Sequence, residues 1–461
     1  MDRRKFLVGS GATIAAVAGL SRAEAALAAG NFNVPGYSIR GMDANPRPLQ
    51  TQSNDLTPFS GTWTDRTLAH LLRRSMFGVP MSQFLAAKGI GGMNEVVEKL
   101  LADIPAPTKP GAWIDTILVP DASITDPTKK QIEFQNVQNH VRFQMASLQG
   151  WAMDNTLKED LSIREKMTLL WSNHFVTGQD VVRYPTLMYS YDQMLRKNAL
   201  GNLKDFVYSV SIEPAMLVYL NGNQNTYQIR NGKTINNINE NYARELMELF
   251  TLGLTDPKTG APNYSEADIQ ESAKALSGWL VNTTAPYASV FHQELHNNDT
   301  KSFLGQTGNF GLQEIIDIIF AKNGGYNVAY FVCSKIYAAF VYYVPDPQVV
   351  AAMAQLLIDS NWELKPVMRA LLKSAHFFDA NVIGAQLTSP LEYVGALIRE
   401  FNLKIPAYDG SDPPANGTNQ QNGYTIWKDL NATHTAMLTV EAILGQEILN
   451  PPNVKGWAGG H

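Results

Sequence analysis

The stretch "NENYARELMELFTLG", residues 239–253, decides how the chain folds. At about 100° per residue, Glu240, Asn241, Arg244, Glu245 and Glu248 fall within an arc of about 140°. Tyr242, Ala243, Leu246, Met247, Leu249 and Phe250 fill the remainder. That is an amphipathic helix. Its polar side carries three carboxylates, an amide and one arginine. Glu240 and Arg244 stand four apart and can pair. Glu245 and Glu248 have no cation within the stretch, and like charges this close repel unless something compensates them. The stripe is either a solvated surface or the wall of a site.

The same helical spacing recurs along most of the chain. "TDRTLAHLLRRSMFG" opens on a capping Thr64 and closes at Gly78. "MNEVVEKLLAD", "EDLSIREKMTLLWSNHF", "YSYDQMLRKNALGNLKDFVYSVS", "SEADIQESAKALSGWL", "NVAYFVCSKIYAAFV" and "SPLEYVGALIREFNL" repeat the pattern, each bounded by Gly, Pro, Asn, Ser or Asp. No series of alternating strands accompanies them. A short ribbon is expected at 226–236, turning at Asn231-Gly232, and another near 287–293. The predicted fold is all-α: one large irregular helical domain over 61–461, with an exposed loop at 408–425.

The bulk composition agrees. The 461 residues are 45% hydrophobic and only 17% charged, with a formal net charge of −5, which excludes a basic nucleic-acid binder. The single cysteine, Cys333, excludes an internal disulfide and lies in an apolar helical run, as a buried small hydrophobe does. The chain opens "MDRRKFLVGSGATIAAVAGLSRAEAALAAG". Arg3-Arg4 before a short apolar Gly/Ala run reads as a twin-arginine export signal over 1–28, too short and weakly apolar for a stable membrane span. The mature chain is then expected to carry no transmembrane span and to be periplasmic or extracellular. Residues 29–60, rich in Pro, Gly and Asn, read as an extended arm or linker.

Three segments carry polar residues with chemistry. His174 extends the apolar face of "REKMTLLWSNHF", where a lone histidine is as often a satisfied core residue as a functional one. The second segment is the 239–253 stripe. The third, "FHQELHNNDTKSFLG", gathers His292, Glu294, His296, Asp299 and Lys301. No Glu-x-x-His pair, His-Glu-x-x-His helix, cysteine pair, Gly-x-Ser-x-Gly elbow or phosphate loop is present. Oxygen and imidazole donors remain, suited to a divalent metal at Glu240, Glu245 and His296. A metal-free acid–base site is equally drawable. In it His174, Glu245, Glu248 and Arg244 would do the chemistry, with Asn173, Asn241 and Lys301 holding substrate.

The segments "LAHLLRRSMFG", "REKMTLLWSNHFVT", "NENYARELMELFTLG", "YSEADIQESAKALSGW", "HNNDTKSFLG", "SPLEYVGALIRE" and "LGQEILNPPNVKGW", in this order from about 64 to 461, together resemble the family catalogued as domain of unknown function 1800. The resemblance places the Trp-x-Asn-His-Phe pattern on Trp171, Asn173, His174 and Phe175. It implies an exported bacterial protein. It also implies a sulfatase-like exported neighbour from the domain of unknown function 1501 family as partner. It implies no reaction. Asn297 stands where the family often carries an aspartate, leaving Asp299 as the nearest carboxylate, and Lys274 replaces a frequent arginine. The end at "GWAGGH" falls a helix short of relatives, as in a truncated chain. Two readings follow: a hydrolytic or metal-dependent exported enzyme, or a non-catalytic envelope scaffold. A redox protein with an organic or haem cofactor lacks any fingerprint.

Overall fold

A computed structural model of the chain describes residues 47–282, 284–403, 410 and 446–457. The signal-like segment 1–28, the first part of the expected arm, and the loop 408–425 apart from Gly410 lie outside them. Helices dominate, as the periodicity requires. Strands among the described residues form three two-stranded antiparallel sheets. No helix of the described residues is long and apolar enough to cross a membrane.

The first helices are α1 (Asp65–Ser75), α2 (Met81–Ile90) and α3 (Met93–Leu100). Thr64 caps α1 as read, exchanging hydrogen bonds with Thr67 in a capping box. A long helix, α4 (Pro127–Lys158), has no counterpart in the sequence reading. Its signal was the start, with Asp126 capping Lys129 N and Pro127 at the first position. Its first half is polar and exposed, and buried residues begin only at His140, so no continuous apolar stripe exists to be read.

Next come α5 (Arg164–His174), the short α6 (Gln179–Val182), α7 (Pro185–Asn198), α8 (Leu203–Ser211) and α9 (Pro214–Tyr219). The stretch 189–211, read as one helix, is two. Asn202 caps α8 through Lys204 N and Asp205 N, and the chain turns at Leu200-Gly201. The hairpin at 226–236 is present as β1 (Thr226–Arg230) and β2 (Lys233–Asn237). Asn231 and Gly232, at φ 52° and 72°, make its turn.

The deciding stretch starts as α10 (Asn241–Glu245), then loosens into a π-helical turn over Leu246–Thr251. It is not α-helical to its end. Leu252 N bonds to Met247 O at 3.0 Å, five residues back, and the Thr251 hydroxyl reaches Leu246 O at 2.5 Å. Then follow α11 (Glu266–Ala275), β3 (Trp279–Val281) paired with β4 (Ser289–Phe291), and β5 (Lys301–Phe303) paired with β6 (Gln306–Gly308). The chain continues with α12 (Leu312–Ala321), α13 (Tyr326–Phe340), α14 (Pro347–Asp359), α15 (Leu364–Leu372) and α16 (Pro390–Glu400).

One apolar core runs through nearly all these helices. At its centre Trp171 of α5 and Phe175, just past its end, stack, and Phe175 meets Phe206 and Phe250 at 4.9 and 5.4 Å between ring centres. Cys333 is fully buried in α13, and burial pushes its thiol well above the ordinary range, consistent with a packing role. The described part of the arm is pinned rather than loose. Phe59 N bonds Lys373 O, Ala375 N bonds Thr57 O, and Gln52 N bonds Asp379.

Charged groups also enter this core. Arg196 of α7 holds Asp192 at 2.6 Å and pairs with Glu165 of α5; all three are under a tenth exposed. Lys166 pairs with Glu392 on α16. Glu159, just before α5, accepts from Glu165 N at 3.0 Å, while its Oε2 has no partner among the described residues. Burial, then the neighbouring Glu165 charge, push its carboxyl up to about 8. A raised carboxyl holds its proton in the native state. Its contribution is therefore full below the ordinary value of 4.5 and is lost as pH rises through about 8. Urea midpoints between pH 4 and 9 should fall by the equivalent of a few kcal/mol over that window. Glu159→Gln should flatten the fall, and an unchanged slope in the variant would refute the assignment.

Candidate functional site

Asparagines set the start of α10. Asn225 donates to Ala273 O at 2.8 Å and accepts from Asn239 N at 3.1 Å. Asn239 in turn accepts from Asn241 N, and the Asn241 amide donates to Leu220 O at 3.3 Å. Asn241 is thereby committed to holding the backbone. Tyr242, Ala243, Leu246, Met247 and Phe250 are buried, and the Tyr242 hydroxyl bonds Ser211 at 2.7 Å.

Arg244 does not serve the carboxylates that follow it. It forms a two-point pair with Glu266 at 3.0 and 2.5 Å, and Glu240 lies 3.5 Å away. The two-point geometry outcompetes the single approach of Glu240. Glu245 and Glu248 are left half-buried side by side, and neither closes an ion pair or hydrogen bond among the described residues. Burial first, and the Glu248 charge second, raise the Glu245 carboxyl; Arg244 and Lys455 act the other way.

Two tyrosines that the sequence reading passed over border this pair. Burial, then the Glu248 charge, push the Tyr264 phenol up to about 12, and its hydroxyl is buried without a partner among the described residues. Burial and the Glu245 charge raise Tyr219 likewise. Lys455, next to the terminal Gly-Trp, completes the set from the far end of the chain. Tyr264 carried one sequence signal, its place just before the Ser265–Asp268 capping box. That position usually marks packing. Nothing local marks Tyr219 or Lys455.

The histidines have other tasks. His174 is buried, its Nε2 lies 3.1 Å from Phe250 O, and Phe175 and Phe331 flank its ring. Its contact with the deciding stretch is thus to a backbone carbonyl of the π-helical turn. Beside it, Asn173 Oδ1 accepts from Trp457 N at 2.8 Å. A Cβ on Gly456, at φ 84°, would sit 2.0 Å from that oxygen, so glycine is required there. His296 turns Nδ1 to Ser277 O at 2.9 Å. Lys301 is fully buried and its ammonium meets Asn297 O, Asp299 O and Asn309 Oδ1 within 3.2 Å. It organises the 296–309 hairpin, with Asn297 and Asp299 bonding each other.

Of the expected site, then, Glu245, Glu248 and Arg244 share one surface. Asn173 and Asn241 bond backbone groups, and the Lys301 ammonium bonds two backbone carbonyls and Asn309. Among the described residues no group of three or more His, Cys, Asp or Glu is arranged to hold a metal ion, so Glu240, Glu245 and His296 do not form one. The reason is visible in their separate engagements: Glu240 leans on Arg244, His296 on Ser277, and Glu245 lies against Glu248.

A family model described as protein of unknown function (DUF1800) matches residues 70–461. No curated protein and no solved structure matches the chain.

His174→Ala would remove the Nε2 contact and leave Phe250 O buried without it, at a cost of about 1–3 kcal/mol plus lost ring packing. Glu245→Gln removes a disfavoured charge and should instead raise the unfolding midpoint at pH 7, with the gain fading below the ordinary carboxyl range. Thermal melts of both variants check this. A neutral His174→Ala would show that the contact carries no structural weight.

Proposed function

The chain belongs to the DUF1800 family of proteins of unknown function, and on that premise we propose that it is an exported hydrolytic enzyme working by acid–base chemistry at Glu245 and Glu248. The observation that carries this reading is the pair itself. Two half-buried carboxylates lie together and close no ion pair among the described residues, and the Glu245 carboxyl is raised. Environments that push two neighbouring acids apart are what an acid–base pair needs. Glu248 takes a proton from the attacking water. Glu245, whose carboxyl burial raises, gives a proton to the departing oxygen. The Tyr264 hydroxyl, without a partner among the described residues, would donate to the substrate. Arg244, clamped by Glu266, positions the helix edge and leaves the acids unneutralised. His174 takes no proton in this scheme.

The proposed location is the periplasm or cell surface, reached by the twin-arginine route through residues 1–28. A second reading is favoured by the inward hydrogen bonds of Asn173 and His174. It is a non-catalytic envelope scaffold acting with a sulfatase-like exported partner of the domain of unknown function 1501 family, in which the same motifs serve architecture alone.

Nitrophenyl esters, phosphates and glycosides, offered to the folded mature chain, separate the two. The enzyme reading expects turnover of at least one class, reduced about 10²–10⁴-fold in Glu245→Gln and in Glu248→Gln with circular dichroism unchanged. Absence of turnover on every class, or turnover untouched in the double variant, overturns it. Co-purification with the sulfatase-like neighbour, indifferent to both substitutions, would then favour the scaffold.

A further inference from the structure

A cleft of about 340 Å³ opens between α7, the junction of α8 and α9, and the segment entering β4. It lies at the small end of the range typical of small-molecule sites. Its polar lining comes from Thr186, Ser190, Ser209, Glu213, Tyr287 and Ser289. None of these belongs to the Glu245–Glu248 surface. Glu213 is the deepest of them, at 7% exposed, and its Oε1 has no partner among the described residues. A buried carboxyl oxygen without a hydrogen bond is costly and rare in native proteins. No cation relieves it, because no basic side chain lines the cleft among the described residues.

That lining selects its guest by elimination. An anion finds no positive partner and meets a carboxyl. A purely apolar ligand would strip the hydroxyls and Glu213 of water without replacing their hydrogen bonds. A cation needs Glu213 ionised, and burial disfavours that form. A neutral molecule bearing several hydroxyls satisfies every group, because each hydroxyl both donates and accepts. Its C–H faces would rest on Ile212 and Pro286.

We propose that this cleft binds a neutral saccharide unit, with Glu213 as its buried polar anchor and the Ser190 and Ser289 hydroxyls at the rim. Burial pushes the Glu213 carboxyl up to about 7, with hydrogen bonds from the Ser190 hydroxyl and the Ala215 N–H opposing. Near neutral pH the anchor therefore alternates between donor and acceptor, as a hydroxyl partner allows. Above that value the charged form gains weight, and affinity is expected to fall.

Calorimetric titration of the full chain with cellobiose and with N,N′-diacetylchitobiose tests this, with ethylammonium chloride and inorganic phosphate as contrasting probes. Saturable binding of at least one disaccharide is expected, weakened about tenfold or more by Glu213→Ala, since that many-fold corresponds to one lost hydrogen bond to a buried group. Glu213→Gln, which keeps a donor and an acceptor, should retain most of the affinity. Ser190→Trp, at an exposed helical position, should block the cleft from its rim at the cost of one hydrogen bond to Glu213, so a misfolded Glu213→Ala does not remove the test. Three results overturn the proposal: no saturation by either disaccharide, saturation by ethylammonium or phosphate in their place, or disaccharide binding indifferent to Ser190→Trp and to Glu213→Ala. Because the lining excludes Glu245 and Glu248, loss of binding here and loss of turnover there are separately readable.

Discussion

A helix that stops inside a protein leaves carbonyl oxygens that water cannot reach, and each needs a donor. The end of the 239–253 helix meets much of that demand through distant groups, and much of the surrounding architecture follows from how. Met247 O receives both Leu252 N and Gly253 N. Phe250 O lies 3.1 Å from His174 Nε2 on α5. Leu252 O and Gly253 O take the two-way amide of Asn263, which is itself held by Asn327 of α13 at 2.5 Å. Three distant segments are thus tied to one helix terminus, and the aromatic packing of Trp171, Phe175, Phe206 and Phe250 closes around the tie.

The π-helical turn changes what the polar face presents. A wider turn sets Glu248 and the residues after it at a different angle from that of an α-helix, and such turns often accompany functional surfaces. Glu245 and Glu248 come to lie half-buried together, while Arg244, still on the α-helical part, reaches back to Glu266. The charge imbalance seen along the sequence survives folding because the one nearby arginine has a better partner. Buried charge elsewhere is treated differently. Arg196 holds both Glu165 and Asp192 across two helices, and such sets hold register between elements more reliably than they add stability.

Legibility varied with the range of the signal. The α1 cap at Thr64, the Asn231-Gly232 hairpin and the all-helical class were readable because each rests on residues within a few positions of one another. The break at Gly201-Asn202 was missed since apolar spacing continues across it. Helix α4 was missed since half of it faces solvent. At the candidate site, Glu245 and Glu248 were picked out by uncompensated charge, which is local. Tyr219, Tyr264 and Lys455 were not, because their approach to the acids is made by the fold. His174 was chosen for its chemistry, and its assignment turned on a carbonyl 76 residues away.

By itself the sequence determined the helical class, the caps and turns, and an acidic stripe with too few cations of its own. Only the tertiary structure decided where those acids go, which histidine nitrogens are already committed, and that one oxygen of Glu213 has no partner among the described residues in a cleft with several hydroxyls in its lining. The physical reason is range. Periodicity and capping act over one or two turns of chain, whereas desolvation and hydrogen-bond competition depend on groups that meet only after folding.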